Sequence, residues 1–161
     1  MKIGVCINHL GISQLAYHFI NNVNIFLHGN HKDDVVCFYE TLAPPCVHAN
    51  FACMPTQEAF SYDGVIMPTS LPLLSKSLKF LAPQKIIYYM WDLEWMRIQH
   101  KQFDFLQQIY SNTRYDIICR SKDHADALMD VWGRKATIID NFDMLEITKY
   151  VKKNIDTSSA A

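Results

Sequence analysis

The stretch Tyr115-Asp116-Ile117-Ile118-Cys119-Arg120-Ser121, followed by Lys122 to Gly133 and then by Ala136-Thr137-Ile138-Ile139-Asp140-Asn141-Phe142-Asp143, decides the fold. Two apolar runs flank a segment whose Ala125, Leu128, Met129 and Trp132 recur at helical spacing. Strands joined through a helix cannot form a hairpin; they pair in parallel through a crossover. Parallel sheets gather their ligands at the carboxyl ends of their strands. The first places to look for function are therefore Arg120 to His124 and Asp140 to Asp143.

The same alternation runs back to the N-terminus. Met1 to Ile7 reads as a strand that turns polar at Asn8 and His9, too short an apolar run for a signal peptide. Ile12, Leu15, Ala16, Phe19, Ile20, Val23 and Leu27 predict a helix from Ile12 to His28, stopped by Gly29. Strands are expected at Asp34–Glu40, Asn50–Met54, Gly64–Met67, Lys85–Met90, Asp116–Cys119 and Ala136–Ile139. A short helix is expected at Thr56–Phe60. A longer one, capped by Ser70, carries Leu71, Leu74, Leu78 and Leu81 and ends at Pro83. Another runs from Glu94 to Tyr110 through Ile98, Phe105, Leu106 and Ile109. Ser121 caps the next, and Gly133 closes it. These elements predict a three-layer, doubly wound, mainly parallel α/β sheet of Rossmann-like type. It forms one domain over residues 1–146, with a C-terminal tail from 147 to 161 that starts with a short helix and frays.

Half of the 161 residues are hydrophobic and 19% are charged, a balance that fills a globular core. The formal net charge of −1 argues against broad electrostatic binding to nucleic acid, leaving only a local basic group at Lys149, Lys152 and Lys153. No run approaches the roughly 18 apolar residues of a membrane span, and a cytoplasmic location is expected. Cys6, Cys37, Cys46, Cys53 and Cys119 make an odd set with no Cys-x-x-Cys, which reads as reduced, mostly buried thiols. Cys46, His48 and Cys53 match no common zinc spacing.

The fold brings distant strand ends together. The residues delivered to one crevice are Asn8, His9, Gly11, Pro68, Thr69, Trp91, Asp92, Glu94, Arg120, Ser121, His124, Asn141 and Asp143. The first loop has neither the Gly-x-Gly-x-x-Gly nor the Walker pattern, so a tightly bound dinucleotide is disfavoured. Trp91-Asp92-Leu93-Glu94-Trp95 holds the densest cluster of functional side chains. Indoles stack on the apolar faces of sugars, and a carboxylate can take a proton from an attacking hydroxyl. The same residues also suit a plain structural role, with Asp92 capping a helix, Glu94 in its first turn and the indoles packing. Ser121 is a cap, and His124 one turn later can face the crevice.

The segment from Tyr115 to Leu128 and that from Trp132 to Asp143 together resemble the end of the N-terminal domain of retaining, two-domain (GT-B) glycosyltransferases. In that family a strand ending in Ser precedes a helix, and a strand ending near Asp-Asn leads to the interdomain linker. Asp140-Asn141-Phe142-Asp143 stands at that exit, and Tyr88-Tyr89-Met90-Trp91-Asp92 resembles the strand that often ends in His-Asp, with Trp91 in place of the His. The family's glycine pair after the first strand is here a single Gly11. The resemblance implies an acceptor-side half for sugar transfer from a nucleotide sugar to a hydroxyl acceptor, without a tightly bound cofactor or metal. Asp92 would be the acceptor contact or base. Asn8, Gly11, Trp91, Glu94, Ser121, His124 and Asn141 would bind substrate. The donor-binding domain of that family has no counterpart in these residues, so a second domain or subunit is implied. The alternatives are a non-catalytic Rossmann-like interaction module, whose exposed aromatics such as Phe142 would favour a homodimer, and a nucleotide-binding enzyme of another α/β family.

Overall fold

The computed structural model describes residues 1–29, 32–80, 85–97 and 102–158. Seven strands form one sheet: β1 (Lys2–Ile7), β2 (Asp34–Tyr39), β3 (Cys53–Pro55), β4 (Val65–Pro68), β5 (Ile86–Met90), β6 (Tyr115–Cys119) and β7 (Thr137–Ile138). Their spatial order is β3-β2-β1-β4-β5-β6-β7, and every neighbouring pair is parallel. The order reverses between β1 and β4, which creates the switch point where doubly wound sheets open a crevice.

Helices α1 (Gln14–His28) and α5 (Met144–Ser158) cover one face. Helices α2 (Leu71–Phe80), α3 (Phe103–Ser111) and α4 (Lys122–Trp132) cover the other. The strands alternate between the two: Ile3, Val5 and Ile7 face α1, while Cys6 faces the opposite layer. Likewise Ile87 and Tyr89 face α1, and Ile86, Tyr88 and Met90 face α2 and α3. Both faces are buried, so these strands read as continuous apolar runs. The fold is the three-layer, doubly wound, Rossmann-like α/β architecture that the alternation predicts, with a sheet that is parallel throughout.

Several local readings change. Helix α1 begins at Gln14, because the Ser13 side chain accepts from the Ala16 amide at 3.1 Å and sets the N-cap there. Ile12 consequently lies outside the helix and is 95% exposed. The Thr56–Ser61 segment is a 3-10 helix, and so is Glu94–Arg97. The single helix expected over Glu94–Tyr110 is thus two elements, with α3 starting at Phe103; Ile98 lies outside the described residues, as do Leu81 and Pro83. Met129 is exposed on α4, whereas Ala125, Leu128 and Trp132 pack inward. Gly133 ends that helix at φ 64°, in the left-handed region that favours glycine.

The largest correction concerns Phe142, expected at an exposed face. It is fully buried, with its ring 4.1 Å from Tyr89 and 5.2 Å from Phe19. The argument for a homodimer from its exposure falls with that. Phe142 and Asn141 both hold positive φ, 60° and 49°. A bulky residue rarely adopts this conformation, at a cost of about 1–2 kcal/mol. Two features offset it: the buried ring, and a hydrogen bond from the Phe142 amide to the Tyr89 hydroxyl at 2.9 Å. The segment leads into α5, whose Ile147 and Val151 are buried against the sheet. Among the described residues, no helix is long and apolar enough to cross a membrane.

Candidate functional site

A cavity of about 490 Å³ opens at the carboxyl ends of β1, β4 and β5, at the switch point. Its walls are Ile7, Asn8 and His9 from the end of β1, Ser13, Gln14 and Leu15 from the start of α1, Thr69 and Ser70 after β4, and Trp91, Asp92, Glu94 and Arg97 after β5. Each segment arrives there because its strand ends there. The volume lies in the range of small-molecule sites, about 300–1,000 Å³.

The polar groups on these walls are tied to one another. The Ser70 hydroxyl donates to Asn8 Oδ1 at 3.2 Å, joining the loops after β4 and β1. The Thr69 hydroxyl donates to the Cys6 carbonyl at 2.9 Å. Both Glu94 oxygens accept from the Leu71 amide, at 3.2 and 3.1 Å, and one also accepts from the Tyr88 hydroxyl at 3.3 Å. Glu94 therefore holds the first amide of α2 from a different loop, and the Ser70 side chain, directly ahead of that helix, donates to Asn8. Burial raises the Glu94 carboxyl above the usual range, the Leu71 amide and Tyr88 hydroxyl oppose this, and the nearby charge of Asp92 adds to it. Asp92 itself is half-buried and lies 3.5 Å from the exposed Arg97 guanidinium. It lines the cavity.

Trp91 is only 6% exposed. The Arg120 guanidinium sits over its ring at 4.8 Å, the His18 ring lies 5.5 Å away, and Tyr89 stacks at 6.5 Å. The indole is a packed wall that supports Arg120, with little ring surface left for a ligand. His124 sits on the Arg120 side of the rim. Burial and the Arg120 charge lower its pKa, and Asp92 and Asp123 partly oppose this. The imidazole is thus held neutral near pH 7. The Ser121 hydroxyl caps α4 by accepting from the His124 amide at 3.3 Å, and it lies 2.6 Å from His124 Nδ1.

Of the residues expected in the crevice from sequence, Asn8, His9, Thr69, Trp91, Asp92 and Glu94 line the cavity together. Ser121 and His124 stand beyond it, at the end of β6 and the start of α4. Gly11 is buried, and a side chain there would meet His9 Nδ1 at 3.2 Å and the Ala43 methyl at 3.3 Å; it is small to let the loop 43–44 close in. Asn141 is further along the same edge, where its carbonyl accepts from Asn22 Nδ2 at 2.8 Å. Gln14 and Arg97 line the cavity without having been foreseen. Their positions depend on the Ser13 cap and on the 3-10 turn, and only the Ser-x-x-Ala pattern ahead of α1 hints at the first. The Nδ1 of His9 is buried with no hydrogen-bond partner among the described residues. Among those residues no three His, Cys, Asp or Glu side chains gather as a metal site would need.

Comparison with protein-family models, with curated proteins and with solved structures gave no match to this chain.

Proposed function

We propose that this chain is an acceptor-side, glycosyltransferase-like half, which binds a hydroxyl-rich acceptor in the switch-point cavity and works with a second domain or subunit. The observation that carries the reading is the lining of that cavity. Asn8, Ser13, Gln14, Thr69 and Ser70 present amide and hydroxyl groups, and the Asp92–Arg97 ion pair is long at 3.5 Å. Neutral amides and hydroxyls beside the Asp92 carboxylate match the hydroxyls of a sugar ring better than they match a phosphate or an apolar ligand. The first loop has no glycine-rich phosphate fingerprint, which supports the acceptor side and not the donor side.

In this reading Asp92 accepts the hydrogen of the acceptor hydroxyl and takes its proton as the sugar is transferred. Glu94 is a positioning residue: its oxygens are occupied by Leu71 and Tyr88, so it fixes the loop that carries Asp92. Trp91 supports the Arg120 side of the rim. The nucleotide sugar is the donor substrate and is supplied from across the cleft.

A second reading, a protein-interaction module, is favoured by one observation. Ile12, Leu42 and Met96 are 95%, 79% and 73% exposed; the first two stand on the loops after β1 and β2, and Met96 on the 3-10 turn after β5. They ring the same edge of the sheet, where a second domain or a separate partner would close. Thermal-shift measurements separate the readings. Mono- and disaccharides should stabilise the chain, by about 2.7 kcal/mol at a hundredfold excess over the dissociation constant. Nucleotide sugars alone should have no larger effect than their sugar. Stabilisation by nucleotides alone, or by no saccharide at all, would count against the acceptor-side role.

A further inference from the structure

The cysteine layout at the other end of the cleft edge has a chemistry of its own. Cys37 on β2 and Cys53 on β3 are direct partners in the strand register. Paired residues on adjacent strands point to the same face, here the α1 face, where Cys37 is fully buried and Cys53 half-buried. Neighbouring strands lie about 4.8 Å apart, inside the window of about 4.4–6.8 Å that a disulfide spans between Cα atoms. Strand β3 has three residues and stands at the sheet edge, so it can give by the small amount a sulfur bond requires. A separate cavity of about 330 Å³, lined by Leu10, Tyr39, Leu42, Pro45 and His48, opens onto Cys53 and leads to solvent.

We propose that Cys37 and Cys53 form a dithiol site that exchanges with low-molecular-weight disulfides of the glutathione class. The Cys53 thiolate attacks one sulfur of the small disulfide; that sulfur–sulfur bond breaks, and one thiolate leaves and takes up a proton. Cys53 then carries the other half as a mixed disulfide. Cys37 loses its proton and attacks the Cys53 sulfur, and the second small thiolate leaves. The protein dithiol is oxidised to one disulfide, and one small disulfide is reduced to two thiols. The order of attack follows from the site. Cys53 meets the cavity, and its pairing with the Cys37 thiol across the strands holds its pKa down against partial burial. The same pairing, together with burial, pushes the Cys37 thiol up, so Cys37 serves as the slower, resolving partner.

The test is incubation of the full chain with oxidised glutathione at about pH 8, followed by alkylation, intact mass and peptide mapping. Wild type should lose two hydrogen masses and yield a peptide pair linked through residues 37 and 53. Cys37→Ala should stop with one glutathionyl group on Cys53. Cys53→Ser, which changes only a half-buried group at the edge, should lose the linked species completely. Linkage between any other pair, or glutathionylation of the half-buried Cys46 ahead of Cys53, would overturn the assignment. Persistence of the two-hydrogen loss in Cys53→Ser would overturn it as well.

Discussion

Glu94 Oε2 lies 3.1 Å from the Leu71 amide nitrogen, so the loop after β5 caps the helix that follows β4. Two neighbouring strand ends are thereby locked in one geometry, and Asp92 rides on the locked loop. A helix start needs partners for its free amides, and the half-buried Glu94 carboxylate supplies one.

Replacing Glu94 by Ala should cost about 1–2 kcal/mol, as the loss of a side-chain cap does. Glu94→Gln keeps an oxygen for the Leu71 amide and removes the ionisation. The folded carboxyl has a raised pKa, mainly from burial. Its contribution is therefore fully present below the unfolded glutamate value, near 4.3, and is lost as the pH rises through the folded value. Denaturant unfolding across that window should show wild type losing stability that Glu94→Gln retains. A pH-independent difference between the two would contradict the assignment.

Tyr89→Phe should destabilise the chain by about 2–4 kcal/mol. Its buried hydroxyl donates to the Ile139 carbonyl at 2.7 Å and accepts from the Phe142 amide at 2.9 Å. Removing it strands two backbone groups, at about 1–3 kcal/mol each. It also frees the positive-φ turn at residues 141 and 142. Hydrogen exchange should show the Phe142 amide losing protection ahead of β5.

Asp33 carries the opposite pH signature to Glu94. It is 6% exposed, accepts from the N-terminal ammonium at 2.8 Å and from Lys152 Nζ at 2.7 Å, and so ties α5 to the start of β1. Burial by itself raises its pKa, but Lys152 and the terminal ammonium outweigh that and hold it below the usual range. Its stabilisation is present above the unfolded aspartate value, near 3.9, and is lost as the pH falls through the folded value. Asp33→Asn should cost about 2–3 kcal/mol at neutral pH and should flatten the acid limb of the stability profile.

The sheet was legible because burial on both faces leaves its strands as apolar runs, such as Ile86–Met90 and Tyr115–Cys119, separated by helical patterns. The strand ends named Asn8 and Asp92 for the same reason. What was not legible depended on contacts between segments far apart in the chain. Ser70 precedes α2 as a local rule expects, but no local pattern shows that Glu94, from another loop, satisfies the Leu71 amide. Phe142 looks like a surface aromatic at a domain exit, yet the Tyr89 hydroxyl and the Phe19 ring hold it inside. Ser121 and His124 share the sheet's carboxyl edge with the cavity but stand one strand beyond it, a distance that depends on strand order.

The central claim is that the switch-point cavity receives a hydroxyl-rich ligand beside Asp92, and amide chemical-shift mapping tests it most directly. Titration of isotope-labelled protein with saccharides should move the signals of Asn8, Ser13, Thr69, Asp92 and Arg97 as one group. The same titration of Asp92→Ala, a variant that leaves the Glu94 cap intact, should show at least a tenfold weaker response, about 1.4 kcal/mol. Shifts centred away from these residues, or an unchanged response in Asp92→Ala, would contradict the account.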